Sequence, residues 1–382
     1  MKRITKISLN LLVLTFFTLG CREEKKKKTV LLDGSWSKVQ KDNNEHFGLS
    51  FSDTKIELFN GFIRYERDST SGVHRKNYKG LTTRYEVRKD SIFIKDPFSQ
   101  NWKFSWRIKK LLKNTLVLER NNSTFIELKR ITSIPSFDFD QIVFSRSGCY
   151  GYCPVLDISL HKNGEVYYQG EGYIHPLGFY RSKTNSAQKT QIFSKFRNIA
   201  IDSLSDVYSA SHTDDETITT TFIKNGRIIK TIYDYGKSGP KELVWAYVPI
   251  ENLYTQLKFD SILNDDAIYP KLHYHYFQKD SKIVTLEKSE SFYLSTEIQK
   301  SKIVQTNFQP EYQIRFTVSS PGWINAPTEK KTPKIELVKI VTDGRLFKFS
   351  FKNHKSITRD LGYNFISRNF TQADFKLKTA YH

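Results

Sequence analysis

Short runs of alternating apolar and polar residues recur along this chain from about residue 30 onward. In 102–109, an aromatic or aliphatic residue occupies every even position, and lysine, serine or arginine every odd one. This period of two is typical of a β-strand with one buried face. Asn-Gly at 60–61, 163–164 and 225–226, and Asp-Gly at 343–344, are strong hairpin-turn signals. The pattern predicts a mainly β chain built from antiparallel sheets.

The N-terminus carries the three regions of a secretory signal. Positions 2, 3 and 6 are lysine or arginine, residues 9–19 are mostly apolar, and small residues surround position 20. The apolar run is too short to span a bilayer as a stable helix. Because Cys21 follows Gly20 directly, residues 1–20 resemble a bacterial lipoprotein signal peptide. The resemblance implies that the Cys21 thiol carries fatty acyl chains such as palmitate and becomes the mature N-terminus.

Residues 21–29 lack apolar content after the cysteine and predict a charged, solvated tether. Arg22-Glu23-Glu24 loosely resembles a signal that some Gram-negative bacteria use to export lipoproteins to the cell surface, and a plain charged spacer is the alternative. Two or three fatty chains would anchor the protein firmly. We therefore expect a cell-envelope protein anchored by lipid in the outer membrane, either periplasmic or surface-exposed.

The formal net charge of +20 at pH 7 predicts attraction to polyanions. No Arg/Lys-studded recognition helix or zinc module is evident, and an exported protein seldom meets nucleic acid, so no nucleic-acid partner is expected. Besides the membrane itself, the candidate partners are anionic lipid head groups or an anionic envelope polymer. The alternative interpretation is that lysines keep exposed sheets soluble and protect their edges.

Residues 30–132 contain a string of short alternating runs that begins with Gly34-Ser35-Trp36. A Gly-x-Trp at the start of such a string resembles the entry to a lipocalin-like barrel. The resemblance implies a small closed β domain with Trp36 as a core plug at its base, or as part of a calyx for an apolar ligand. Small antiparallel barrels can enclose one small molecule.

Residues 137–262 contain Cys149-Tyr150-Gly151-Tyr152-Cys153-Pro154 between two predicted strands. This C-x-G-x-C-P cluster resembles a bacterial domain of unknown function found in exported proteins. Two hairpins with Asn-Gly turns are each followed by a helical segment, at 186–204 and after Pro240, with Pro249 expected to interrupt the second. The pattern predicts an α+β domain with helices packed on one face of an antiparallel sheet.

The two cysteines of this cluster allow three interpretations. Cys149 and Cys153 can close a small disulfide ring, because Gly151 permits unusual backbone angles, and the ring would present Tyr150 and Tyr152 for binding. A redox-active pair would normally be C-x-x-C at a helix N-terminus. Two cysteines are too few for a four-ligand zinc site. The spacing favours the structural disulfide, with the redox pair as the alternative.

The remaining segments carry weaker signals. Residues 212–216 are oxygen-rich but lack the ligand spacing of a calcium loop, so a solvated turn is expected. Residues 266–382 predict a β-rich C-terminal region, with 289–301 ambiguous between helix and strand. In it, His273 and His275 would share one strand face, the geometry of a weak metal-ligand pair without a third ligand. No metal site is therefore predicted.

No G-x-S-x-G, H-E-x-x-H or phosphate-binding glycine loop occurs in the chain. We therefore expect a non-enzymatic binding or structural role, with no catalytic residue and no cofactor. Two alternatives stay open: an envelope thiol-redox enzyme that uses Cys149 and Cys153, and a carrier of an apolar small ligand in the N-terminal barrel.

The first prediction concerns the anchor. Protein purified from its native membrane should have the mass of residues 21–382 plus acyl chains. Cys21→Ser should abolish the added mass and release the protein from the membrane, because each buried CH₂ of a lipid chain contributes about 0.8 kcal/mol. Intact-mass spectrometry with membrane fractionation measures both effects. An unacylated chain in the wild type would refute the tether.

Overall fold

The computed structural model describes residues 30–38, 46–67, 74–121, 124–132, 138–262, 272–318 and 336–378. The chain divides into two compact units after residue 134. The predicted fold class, mainly β with an α+β part, is confirmed. The residues predicted as separate regions, 137–262 and 266–382, lie together in the second unit.

The first unit is a closed antiparallel barrel of eight strands in the order β1-β10-β9-β8-β7-β6-β3-β2, with β4 and β5 paired separately. Its strands are β1 (Gly34–Lys38), β2 (Gly48–Ser52), β3 (Lys55–Leu58), β4 (Ile63–Arg67), β5 (His74–Tyr78), β6 (Thr82–Arg88), β7 (Ser91–Lys95), β8 (Trp102–Leu111), β9 (Thr115–Arg120) and β10 (Thr124–Ile131).

Trp36 and Arg130 close one end of the barrel. Trp36 is fully buried, and its indole N–H donates to the Leu32 carbonyl at 2.7 Å. The Arg130 guanidinium lies over the Trp36 ring at 4.1 Å and donates to the carbonyls of Leu31 and Asp33. A Cβ at Gly34, whose φ is +108°, would lie 2.5 Å from Arg130 Nη1. The glycine of Gly-x-Trp therefore makes room for the cation that covers the tryptophan.

A β-bulge changes which side chains of β8 face the barrel interior. Ile92 pairs with Trp106 and Phe93 pairs with Phe104, so Ser105 is an extra residue in β8. One extra residue reverses the alternation of side chains between the two faces. Trp106 is buried in the barrel core, whereas Phe104 is 48% exposed and packs edge-on against Phe93. The predicted continuous apolar face of β8 is therefore wrong at this end of the strand.

Three of the four predicted hairpin turns are confirmed, and the fourth needs correction. Gly61 N–H bonds to the Leu58 carbonyl at 3.0 Å and closes a turn. The flanking strands do not pair with each other, however, because β3 pairs with β2 and β6 while β4 pairs with β5. Asn60-Gly61 is therefore a turn that leads into the separate β4–β5 ribbon.

The second unit begins with an eight-stranded sheet, here called sheet 1, in the order β15-β17-β16-β11-β12-β13-β14-β18. Its strands are antiparallel except for the parallel β15–β17 pair. They are β11 (Gln141–Arg146), β12 (Val155–His161), β13 (Glu165–Gly172), β14 (Gly178–Lys183), β15 (Val207–Ser209), β16 (Thr217–Lys224), β17 (Arg227–Tyr235) and β18 (Asp260–Ser261).

Two helices pack on one face of sheet 1, as predicted. Helix α1 (Ser186–Arg197) begins with an Asn185/Gln188 capping box, and α2 (Lys241–Glu251) begins directly after Pro240. Their aromatic side chains contact Phe222 and Phe144 of the sheet. α1 is shorter than predicted, ending before a 3-10 turn at Ile201–Ser203. α2 continues through Pro249, so the expected interruption there is wrong, and a 3-10 turn at Leu253–Gln256 follows.

The C-terminal region forms a second eight-stranded antiparallel sheet, sheet 2, in the order β21-β25-β24-β23-β22-β19-β20-β26. Its elements are β19 (Leu272–Lys279), β20 (Lys282–Thr285), α3 (Lys288–Lys300), β21 (Lys302–Val304), β22 (Tyr312–Val318), β23 (Leu337–Thr342), β24 (Leu346–Phe351), β25 (Ile357–Asp360), α4 (Phe365–Asn369), a 3-10 turn (Gln372–Asp374) and β26 (Lys376–Leu377).

Helix α3 joins the two sheets of this unit. It contacts β11, β12 and β16 of sheet 1 and β19 of sheet 2, on the face of sheet 1 opposite to α1 and α2. That face carries polar side chains, and α3 matches them: Ser289 N–H donates to Thr219 Oγ1 at 3.0 Å, and the Ser289 and Thr221 hydroxyls are 2.7 Å apart. The ambiguity of 289–301 is explained because a helix buried on most sides lacks a clear apolar stripe.

Glu290 of α3 makes the stability of the contact between α3 and the two sheets dependent on pH. Burial raises the pKa of Glu290 to about 7, although hydrogen bonds from Thr231 and the Glu287 N–H lower it. The folded state therefore retains a proton that the unfolded chain releases near the ordinary pKa of 4.5. Above that pH the unfolded state binds fewer protons than the folded state, so this group's contribution to stability falls as pH rises toward 7.

We expect Glu290→Gln to remove this dependence. Relative to the wild type, the variant's free energy of unfolding should rise between pH 4.5 and 7, by at most roughly 1.4 kcal/mol per pH unit, as measured by urea denaturation. Thr231→Val is the matched control, since it removes a hydrogen bond to Glu290 but keeps the carboxyl group. Its free energy of unfolding should still fall as the pH rises from 4.5 to 7. A difference between Glu290→Gln and wild type that is constant across this range would contradict the prediction.

Candidate functional site

The loop 147–154, at one end of sheet 1, presents two tyrosines to solvent. Cys149 and Cys153 form a disulfide with Cα atoms 5.6 Å apart, which is the pairing that the spacing favoured. Tyr150 is 90% exposed and Tyr152 is 86% exposed. Gly151 lies between them at φ +157°, a backbone conformation that glycine adopts most easily. The small ring therefore directs both large side chains outward.

Hydrogen bonds hold this loop against the neighbouring loop 210–216. Ser147 N–H donates to the Thr217 carbonyl at 2.9 Å, and Thr217 N–H donates to Ser147 Oγ at 2.8 Å. Tyr150 N–H donates to the Asp214 carbonyl at 3.0 Å. The loop is thus fixed by its disulfide and by backbone bonds on both sides of Cys149.

A third tyrosine extends the exposed aromatic area. The Tyr173 ring packs edge-on against Tyr152, with centroids 5.4 Å apart, and Tyr173 is 37% exposed. We call Tyr150, Tyr152 and Tyr173 the tyrosine surface. Tyrosine rings provide a large amphipathic contact area with few rotatable bonds, and they are enriched among the residues that dominate binding interfaces.

A buried ion-pair cluster lies beneath the strand that leads into the loop. The Arg146 guanidinium pairs with Glu216 and lies 3.4 Å from Glu251 Oε2. Lys237 Nζ lies 3.1 Å from Glu216 and 3.3 Å from Glu251. Burial lowers the pKa of Lys237, but Glu251 and Glu216 raise it by more, so the net pKa is above its ordinary value. The cluster joins β11, the segment just before β16, the 236–240 loop and α2, with two cations against two anions.

The segment 212–216 is only partly the solvated turn that was predicted. Thr213 and Asp214 are exposed, but Glu216 is only 5% exposed because it belongs to the ion-pair cluster. His212 Nε2 and Asp215 Oδ2 are 2.9 Å apart. Burial raises the pKa of Asp215, but His212 and the Glu216 N–H lower it by more, so its net pKa is depressed. The expectation of a fully solvated turn is therefore wrong for Glu216.

A second charged cluster occupies the opposite face of sheet 1. Lys288 Nζ of α3 lies 2.6 Å from Asp157 and 3.1 Å from Glu171. Burial raises the pKa of Asp157 to about 7, with Glu171 adding to the effect and Lys288 opposing it. For Glu171, Lys288 and the bond with Asp157 outweigh burial, so its pKa is lowered. Of the two carboxyl groups, Asp157 therefore holds a proton more readily than Glu171.

His273 and His275 lie side by side on β19, with ring centroids 4.7 Å apart. Burial lowers the pKa of His273 to about 4, with Lys288 and His275 adding to the effect. His275 Nε2 lies 2.9 Å from the Thr317 hydroxyl. Among the residues that the structure describes, no group of three or more His, Cys, Asp or Glu side chains is placed to hold a metal ion.

The barrel of the first unit has a cavity of about 570 Å³ at the end opposite Trp36. Apolar residues line much of it, and a charged rim is formed by Arg64, Asp96, Lys103 and Arg120. Trp106 lines the cavity and is 7% exposed, and its Nε1 has no hydrogen-bond partner in the described chain. The Lys103 side chain donates to Asp96, which lowers the pKa of Asp96 to about 2.

The remaining predicted site residues, Trp36 and Cys21, belong to neither the disulfide loop nor the barrel cavity as the structure describes them. Trp36 lies in the barrel core at the closed end and does not line the cavity. Cys21, the signal segment 1–20 and the tether 21–29 lie outside the described residues. No helix in the described ranges is both long and apolar enough to cross a membrane.

The two charged clusters were not recognised in the sequence. Arg146 and Glu251 are 105 positions apart, and Asp157 and Lys288 are 131 apart. No local spacing connects such residues, because the sheet order decides which strand ends meet. The one available signal was the position of Arg146 and Asp157 within otherwise apolar strands, where a charged residue is seldom buried without a partner.

Comparison with known proteins yields one match. Residues 140–254 match the family model described as a domain of unknown function (DUF6438), a segment that contains the disulfide loop, both helices α1 and α2 and the ion-pair cluster. No curated protein matches the chain, and no solved structure matches it.

Proposed function

We propose that this protein is a non-enzymatic binding protein of the bacterial cell envelope, anchored in the outer membrane by lipid on Cys21, and that it binds a protein partner through the tyrosine surface. The observation that carries the proposal is the exposure of Tyr150 and Tyr152, at 90% and 86%, on a loop closed by a disulfide. Fully exposed aromatic side chains offer apolar area that a partner would bury.

The rigidity of the loop supports this function. A contact made by preformed side chains loses less conformational entropy on binding than one made by a mobile loop. The disulfide, the Ser147–Thr217 bonds and the ion-pair cluster all hold the loop before any partner arrives. A thiol-redox enzyme remains the alternative proposal, since Cys149 and Cys153 lie on the same exposed loop.

Site-specific photo-crosslinking in the native membrane tests the proposal. A photoreactive phenylalanine analogue at position 150 or 152 should give a discrete adduct with one protein. The same analogue at Tyr65, which is 65% exposed in the first unit, is the matched control and should not give that adduct. Tyr152→Ala should weaken the adduct at position 150 by about tenfold or more, as expected when a residue that dominates an interface is truncated.

The same system separates binding from redox chemistry. If the protein is a thiol-redox enzyme, the Cys153→Ser variant keeps a free thiol at Cys149. That thiol should trap a partner as a mixed disulfide, which reductant releases. A binding protein would give no such species and would keep its photo-adduct in non-reducing and reducing gels alike. A reductant-sensitive covalent complex formed without light would contradict the binding role and favour the enzyme.

A second candidate function, carriage of an apolar small ligand, is favoured by Trp106. Its indole N–H is buried at the cavity wall without a hydrogen-bond partner among the described residues, and a buried unpaired donor costs about 1–3 kcal/mol. A ligand with an acceptor atom would satisfy it while its apolar part contacts the lining. Lys103 and Arg64 at the rim already face Asp96, so Arg120 is the rim cation that would suit a ligand with an anionic end.

We expect a fluorescent fatty acid to bind the barrel and to lose affinity in Trp106→Phe. The loss should be roughly five- to tenfold, since one hydrogen bond contributes about 1 kcal/mol. Trp102→Phe is the matched control, because Trp102 is 37% exposed and is not part of the cavity lining. Equal affinities for the two variants, or no binding by the wild type, would contradict a carrier role.

A further inference from the structure

A strongly basic concavity lies at the end of sheet 1 opposite the tyrosine surface. It measures about 670 Å³ and is lined by residues from two distant segments: Lys224, Asn225, Arg227, Ile229, Asn364, Ser367 and Arg368. Strand β16 runs from Thr217, beside the disulfide loop, to Lys224 at the concavity. Its eight residues span roughly 25 Å at the usual rise of a strand. We call this the basic concavity.

Two of its three cations are not neutralised by any residue that the structure describes. Lys224 Nζ lies 3.6 Å from Asp138 Oδ2, and Asp138 also accepts from Arg197. The Arg227 and Arg368 guanidinium groups have no acidic partner within the described part of the chain. This contrasts with Arg146 and Arg345, each of which is paired with a carboxylate. The concavity therefore carries about two uncompensated positive charges.

The Arg368 guanidinium is held in place by a contact that does not use up its hydrogen-bond donors. The Arg368 guanidinium stacks on the Tyr363 ring at 3.6 Å, and Tyr363 OH donates to Glu297 at 2.7 Å. A Cβ at Gly226 would lie 2.9 Å from Arg368 Nη1, so the glycine of the Asn-Gly turn admits this arginine. Stacking leaves the edge of the guanidinium free to donate.

The turn that carries Arg227 is equally fixed. Asn225 N–H donates to Asp140 Oδ2 at 2.8 Å, and Tyr293 OH donates to the Gly226 carbonyl at 3.0 Å. Ile228 N–H donates to Asn369 Oδ1 at 2.8 Å, which ties the turn to α4. The backbone on the two sides of the concavity is therefore tied together, so the ordering required when a ligand binds is mainly that of the Arg227 side chain.

We propose that the basic concavity binds a phosphate group. Arg227 approaches from the hairpin turn and Arg368 from α4, so donors reach the space from two sides, together with the Ser367 hydroxyl and the Asn225 amide. Donors from several directions suit a tetrahedral oxyanion better than a planar carboxylate. Arginine forks match phosphate oxygens in bidentate geometry, and a phosphate monoester carries about −1.5 to −2 charges at pH 7, which balances the two free cations.

The phosphate can belong to a soluble ester or to a lipid head group, and the experiment separates these sources. The chain 21–382 with Cys21→Ser is used, so that no lipid anchor contributes to vesicle binding. In one arm, inorganic phosphate is titrated and followed by phosphorus NMR line broadening. In the other, the protein is floated with vesicles of phosphatidic acid, whose head group is a phosphate monoester, and phosphatidylcholine, against vesicles of phosphatidylcholine alone. This proposal does not depend on the role of the tyrosine surface.

Charge-matched variants identify the site. Arg227→Gln with Arg368→Gln should weaken phosphate binding about tenfold or more, as expected when two charge-assisted hydrogen bonds are lost. Arg181→Gln with Lys352→Gln removes the same charge from two exposed residues and should change binding less than twofold. Arg227→Gln alone is the safeguard against misfolding, because its side chain has no hydrogen-bond or ion-pair partner in the described chain, and it should give a three- to fivefold loss.

Each result supports the proposal or overturns it. Phosphate binding without vesicle binding assigns the site to soluble phosphate esters. Vesicle binding that inorganic phosphate competes away, together with direct phosphate binding, assigns it to lipid head groups. No phosphate binding, vesicle binding that phosphate does not compete, or equal losses in the two double variants would overturn the proposal, since only general charge attraction would remain.

Discussion

The second unit depends on the contact between α3 and the polar face of sheet 1. A sheet face bearing threonine, serine and aspartate cannot be covered by an ordinary apolar helix without leaving buried donors and acceptors unpaired, at about 1–3 kcal/mol each. Helix α3 supplies the complementary groups: Ser289 for the threonines and Lys288 for Asp157 and Glu171. Its other sides contact sheet 2, and the common core includes residues of both sheets. One polar helix thus makes two sheets into a single unit.

Both faces of sheet 1 carry buried charge near the disulfide loop, and the two clusters differ in kind. The cluster of Arg146, Lys237, Glu216 and Glu251 balances two cations against two anions, and it holds the strand that leads into the loop. The cluster around Lys288 has two carboxyl groups for one amine, and burial raises the pKa of Asp157 there to about 7. Removing one partner from such a cluster would leave an uncompensated buried charge, which is strongly destabilising.

The sheet also separates two surfaces of opposite character. Exposed tyrosines and Asp214 lie at the end where β16 begins, and arginines lie at the end where it finishes. Because each surface is formed by loops that rigid strands hold apart, one ligand of ordinary size cannot occupy both. In the barrel of the first unit, one side chain makes several contacts. Arg130 stacks on Trp36 and donates hydrogen bonds to several backbone carbonyls.

Local pattern in the sequence was sufficient for many of the strands and for the hairpin turns at 163–164, 225–226 and 343–344. It was also sufficient for the start of α2 after Pro240 and for the Cys149–Cys153 ring, because each of these depends on residues within a few positions of one another. The sequence alone also determines the expectation of a lipid-anchored chain. Tertiary structure decided the rest: the bulge at Ser105 that turns Phe104 outward, the burial of Glu216, the role of α3 and the placement of Arg227 and Arg368 around one concavity. These features depend on sheet order and on register between distant segments, and such contacts leave no spacing in the chain that could reveal them.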